Sequence, residues 1–324
     1  MNKDLGFDHA ILSEYSKHGI YSRIKTVQLL EAAIYNQLES PDKITKDLDH
    51  ALNTNQLIAT LQIVLVSQLM MFLEDVAVFC LSFLNKDWKY YQLLDNKTAE
   101  GDLGNAIGGF FKRIESLTAE ELRQIMSYMD PDKYNFENNT QKNYLISVME
   151  KNFESTRKFF KKIAVFGDNH HEIFRRYKHA GFPFFLGMKI PDNDVSYKQF
   201  DFVTAALVSR LDPSKEAVTI PFSKNVLISY ENLNKDIFLF LSSILVNKLI
   251  CVERNVDAIP PPHMDHFNRK YSKEEIDALK ALWTSFEKKC PVPEGNYEDD
   301  ANLQAAWPFW YVCLDEYSKP CFEE

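Results

Sequence analysis

The chain has 324 residues and a formal net charge of −9, with 45% hydrophobic and 26% charged residues. That size and balance exclude an intrinsically disordered chain and allow a substantial core without disulfide or metal staples. The negative charge excludes whole-protein attraction to nucleic acid or anionic membranes, so any such contact must come from a local patch.

The N-terminal sequence carries acids where a secretory signal needs basic and then apolar residues. The five cysteines, Cys80, Cys251, Cys290, Cys313 and Cys321, are odd in number and scattered, which reads as free thiols in a reducing, cytoplasmic compartment. Residues 7–39 read as one or two amphipathic helices, because Ile24, Val27, Leu30, Ile34 and Leu38 recur at helical steps. Residues 56–85 are the most apolar stretch, with no charge between Gln56 and Leu73. A membrane span is the alternative. Gln62, Ser67 and Gln68 interrupt the run and Glu74-Asp75 continue its pattern, so the expectation is a central helix of a soluble bundle with no membrane contact.

Gly101, Gly104, Gly108 and Gly109 lack the Lys-Ser/Thr ending of a phosphate loop and read as close helix packing. Thr118-Ala-Glu-Glu121 is a capping-box match that opens a short helix to Met129, stopped by Asp130-Pro131-Asp132. A long helix is expected over 140–165, then a turn at Gly167-Asp168-Asn169, then a second helix that Gly181-Phe182-Pro183 stops. Residues 195–211 read as another helix. Val218, Ile220 and Phe222, then Val226, Ile228 and Tyr230, alternate around Ser223-Lys224-Asn225. That pattern predicts a small β-hairpin near residues 217–230, with Pro221 on an edge strand. Residues 233–254 form an apolar helix, and Ser272-Lys-Glu-Glu275 caps one reaching Lys289. The fold class is mainly α, a helical bundle with that one hairpin. The expected division is a body over 1–256 and a C-terminal segment over 257–324, linked through Pro260, Pro261 and Pro262. The last 35 residues hold eight acids against Lys319, together with Trp307, Phe309, Trp310 and Tyr311, and are expected to pack on the body or meet a protein partner.

The stretch from His170 to Gly187 is the densest polar cluster. His171, Arg175 and His179 share a helical face, flanked by Lys178. From Arg157 to Lys189 there are eight Lys/Arg against Asp168 and Glu172. A histidine titrating near neutrality can take a proton from a ribose 2′-hydroxyl, and an arginine one turn away can hold the scissile phosphate. The plainer alternative has the arginines paired with acids, Glu172 to Arg176 first among them, and a cation favoured at a helix end. No metal site or cofactor is expected, since His170 and His171 point apart and no nearby carboxylate completes a facial set at familiar spacing; His263-Met-Asp-His266 after the prolines is the lesser alternative as a source of ligands.

Two pieces together resemble the helical bundles of the HEPN group: the apolar helix bearing Glu74-Asp75, and the later helix ending Arg175-Arg176-Tyr177-Lys178-His179 before a glycine. The resemblance covers roughly residues 56–190. HEPN nucleases carry an arginine and a histidine four to six residues apart on a late helix; here three residues separate Arg175 from His179, and Arg176 follows the arginine. The resemblance implies RNA binding or metal-independent endoribonuclease activity, in stress or phage defence. Arg175 and His179 would be the catalytic pair, and His171, Arg176 and Lys178 would hold the substrate. Glu74 and Asp75 would be supporting acids, and a homodimer would form across the late helix. The competing expectation is a non-catalytic helical scaffold.

Overall fold

The computed structural model describes residues 12, 14–39, 54–85, 103–134, 136, 139–178, 182–188, 203–208, 218–222, 224–261 and 271–291. Seven helices dominate them: α1 (Ile20–Glu39), α2 (Thr54–Leu84), α3 (Leu103–Arg113), α4 (Ala119–Ile125), α5 (Asn139–Lys178), α6 (Lys224–Glu253) and α7 (Lys273–Lys289). A π-helical turn, Tyr15–Gly19, leads into α1. Contacts divide the chain into two compact units. The first is Met1–Tyr21, Ala77–Lys161 and Leu239–Glu324; the second is Ser22–Val76 and Lys162–Phe238. Their boundaries fall inside α1, α2, α5 and α6.

The first unit is built around aromatic rings. Phe160 meets Phe110 edge-on at 6.4 Å and Phe240 at 5.3 Å, and Phe159 lies 4.9 Å from Phe240. Both capping boxes are formed. Thr118 receives the Glu121 amide, and Glu121 receives the Thr118 amide at 2.8 Å. Ser272 and Glu275 do the same for α7. Glu275 is buried, so its charge needs partners: Lys151 at 2.6 Å and Ser147 at 2.8 Å on α5. Burial works against this carboxylate, yet those donors hold it below the usual range. Asn152 donates to the Tyr128 hydroxyl at 3.0 Å and accepts from Tyr271 at 2.5 Å. The proline segment packs here as well. Ile259 pairs with Tyr128 in a parallel bridge, Ile259, Pro260 and Pro261 are buried, and Trp283 donates to the Pro261 carbonyl at 2.8 Å.

In the second unit Arg23 donates to Asp75 at 3.0 Å, which fixes the register of α1 on α2. Three strands, β1 (Phe182–Met188), β2 (Val203–Val208) and β3 (Val218–Phe222), pair antiparallel in the order β1-β2-β3. Phe182 stands opposite Val208 and Val203 opposite Phe222, with a bulge between Phe185 and Gly187. Pro183 and Pro221 both lie on edge strands, where a missing N–H is tolerated.

Four expectations are corrected. The hairpin near 217–230 does not form: β3 pairs with β2, and residues 226–230 belong to α6. Leu227, Tyr230, Leu233, Ile237 and Phe238 are its buried positions, a helical period that the even-numbered alternation hid. Residues 203–208, expected as helix, are β2. Gly167-Asp168-Asn169 is no turn, since α5 runs unbroken for 40 residues. Its buried stripe passes from Phe160 and Ile163 through Phe166 to Ile173 and Phe174 without a change of face, and that outweighs three poor helix formers. Gly108 and Gly109 are exposed, and a Cβ on either would meet nothing within 4 Å, so these two glycines mediate no close packing.

Length and composition alone qualify Leu57–Leu84 to cross a bilayer; 72% of that window is buried inside the protein, as in a core helix. The aromatic tail, Cys313, Cys321 and His263–His266 lie outside the described residues.

A Cβ at Gly167 also meets open space. Gly167→Ala should therefore stabilise the protein by about 0.5–1 kcal/mol through helix propensity. Chemical denaturation measures it, and a loss of stability would show that α5 needs a break at this point.

Candidate functional site

The last turns of α5 present their polar residues along the exposed margin of the Phe166–Ile173–Phe174 stripe. His171, Arg175 and Lys178 are exposed and fall at steps of four and three, so they share a face. His171 makes no hydrogen bond or ion pair to any described residue. Glu172 lies between them. Its carboxylate accepts Nε and a terminal nitrogen of Arg175, both at 2.8 Å, and Nε of Arg176 at 2.9 Å. These bonds, Arg175's first and Arg176's second, hold its pKa down to about 2, so it is charged at any physiological pH. The two guanidiniums differ in setting: the Arg175 side chain is 53% exposed and that of Arg176 only 9%.

The two acids on α2 are both engaged. Glu74 accepts Lys178 Nζ at 2.7 and 2.8 Å, and the same ammonium lies 4.4 Å from the centre of the Phe174 ring. Asp75 accepts Arg23. Also on α2, Ser67 Oγ donates to the Ile63 carbonyl at 2.7 Å. The structure thus brings Glu74 to Lys178 and gathers Arg175 and Arg176 on Glu172, while it sets Asp75 on Arg23. His179 lies outside the described residues.

Two groups in this unit escaped the sequence reading. The first is His170, which α5 presents toward Tyr230 of α6. Nδ1–H donates to the Phe166 carbonyl at 2.8 Å, which leaves Nε2 to accept the Tyr230 hydroxyl at 2.8 Å. The ring stacks on Phe166 with centroids 4.2 Å apart. Burial lowers its pKa and raises that of Tyr230. His170 is a neutral, structural imidazole.

The second is Glu31 on α1, 5% exposed and with Oε1 unpartnered. Burial first, then the charge of Glu231 on α6, pushes its pKa up to about 8. The same burial and the two acids raise Tyr35. Two more buried polar groups belong to this unit. Asn234 donates to the Ile24 carbonyl at 3.4 Å but leaves its oxygen free, and Gln62 leaves both amide atoms unpartnered. The signal for Glu31 was present in the sequence, an acid at the position between Val27 and Ile34 on the apolar stripe. Among the described residues no group of three or more His, Cys, Asp or Glu is placed to hold a metal ion.

No family model matches the chain, and neither a curated protein nor a solved structure matches it.

Glu31 makes stability depend on pH with a definite sign. The folded protein holds this proton to about pH 8, whereas the unfolded chain releases it near 4.5. The stabilisation is complete below 4.5 and is lost as the pH rises toward 8. Glu31→Gln should therefore raise the Tm at pH 8.5 relative to the parent and change it little at pH 4.5. Equal pH slopes for the two proteins would refute the assignment.

Proposed function

We propose that this chain is an RNA-binding helical protein of the HEPN kind, working in the cytoplasm, and that His171, Arg175 and Lys178 meet the phosphate backbone. The observation that carries this reading is the exposed face those residues share on α5, where the Arg175 guanidinium is 53% exposed. An acidic protein repels polyanions at long range, so a local exposed guanidinium such as Arg175 is what a phosphate can use. Arginine suits it better than lysine, because its planar fork matches two phosphate oxygens.

The finer reading is metal-independent cleavage, with Arg175 stabilising charge on the phosphate and His179 moving the proton of the 2′-hydroxyl. In that reading two protomers meet across the end of α5. The second reading is a non-catalytic scaffold, favoured by the pairing of Lys178 with Glu74 and Arg23 with Asp75, which uses cations to join helices.

Fluorescence anisotropy with labelled single-stranded RNA separates the two. Binding should weaken steeply between about 50 and 200 mM salt, and Arg175→Ala should weaken it several-fold and reduce the salt slope by about one. With EDTA present, His179→Ala should abolish cleavage and leave the Tm unchanged. Absence of RNA binding by the parent at low salt would leave the scaffold reading standing.

A further inference from the structure

Glu172 sits where a phosphate would sit. Its two oxygens take the bidentate grip that a guanidinium offers a phosphodiester, with Arg175 on both and Arg176 on one. Solvent reaches this pair: the Arg175 side chain is 53% and the Glu172 side chain 40% exposed. Arg176 is nearly covered, so it can hold the carboxylate but offers little to an incoming strand. All three lie within one turn of a single rigid helix, which keeps the carboxylate from drifting away once displaced.

We infer that Glu172 is an internal competitor for RNA, a carboxylate that occupies the Arg175 fork until a backbone phosphate displaces it onto Arg176. This rests on the RNA-binding reading above and adds a regulation to that site. The two arginines then have different jobs: the exposed one is handed over, and the covered one retains Glu172 so that it is never left unpaired. The exposed Arg175 pair is screened by water and weak, which makes the exchange inexpensive. The negative charge stays beside the bound strand and limits its affinity. Two other acids border this face: Asp168, one turn back on α5, and Glu74 of α2, which is held by Lys178.

Glu172→Gln tests this in the full chain, with labelled single-stranded RNA as the probe and circular dichroism to confirm folding. Removing one charge a few ångströms from a phosphate should tighten binding by about five- to tenfold at low salt. The gain should shrink at high salt and disappear in the Arg175→Ala background. If the parent binds RNA and Glu172→Gln binds equally or less well, the competitor is overturned and the RNA-binding reading survives. A gain that persists without Arg175 would also overturn it, since the effect would then be general repulsion. Failure of both folded proteins to bind would overturn both readings. Should the glutamine variant not fold, Glu172→Asp, with a shorter arm and the same charge, should show a smaller gain in the same direction, and none would count against the inference.

Discussion

The apolar stripe along α5 is the constraint on which the rest depends. Phe153, Phe160, Ile163, Phe166, Ile173 and Phe174 are buried from one end to the other, so the helix cannot break at Gly167-Asp168-Asn169 without exposing one side of that stripe. Continuity has a chemical consequence. A helix fixes every side chain at 100° steps, so burying Ile173 and Phe174 turns Arg175 to water and leaves His171 and Lys178 at the exposed margin beside Phe174. The candidate site is therefore set by hydrophobic burial along the same helix, not by any loop.

Charge on this protein is mostly settled between near neighbours. Glu172 takes two arginines, Glu74 takes Lys178, Asp75 takes Arg23, and Asp236 takes Lys162. Each pair is reachable by water and adds little stability by itself. What such pairs do is fix register, as Arg23 does for α1 on α2. Glu31 obeys the opposite rule. It lies out of water with a free oxygen and an acid beside it, so it keeps its proton and not its charge. Glu275 shows what a buried carboxylate needs in order to stay ionised: an ammonium, a hydroxyl and a backbone amide, all within 2.8 Å.

Much of the helical architecture was legible in the sequence, because its signals are local and chemical. Both capping boxes name their helix starts outright, and the apolar run of α2 gives its extent to within two residues. The errors have a common cause. Val226, Ile228 and Tyr230 alternate as a strand would, but the buried series through Leu227, Leu233 and Ile237 needs a longer window to appear. Gly-Asp-Asn is a turn by propensity, overruled by packing that only the neighbouring helices supply. The pairing of Glu172 with Arg176 was legible from spacing alone. Its sharing with Arg175 was not, since (i, i+3) and (i, i+4) partners are equally available on paper. The burial of Glu31 could be read from its place on the apolar stripe of α1, but the partner of His170 could not be read without α6.

The two histidines at the head of this segment illustrate how burial decides chemistry. His170 and His171 are adjacent, so a helix turns them 100° apart. One falls on the buried side, where Nδ1–H is committed to the Phe166 carbonyl and Nε2 to the Tyr230 hydroxyl. With both nitrogens engaged and its charged form disfavoured, His170 has no free lone pair with which to accept a substrate proton. The other falls on the exposed side, one turn before Arg175, with its nitrogens open to water. Burial thus divides two adjacent imidazoles into one that helps join α5 to α6 and one that stays accessible beside Arg175.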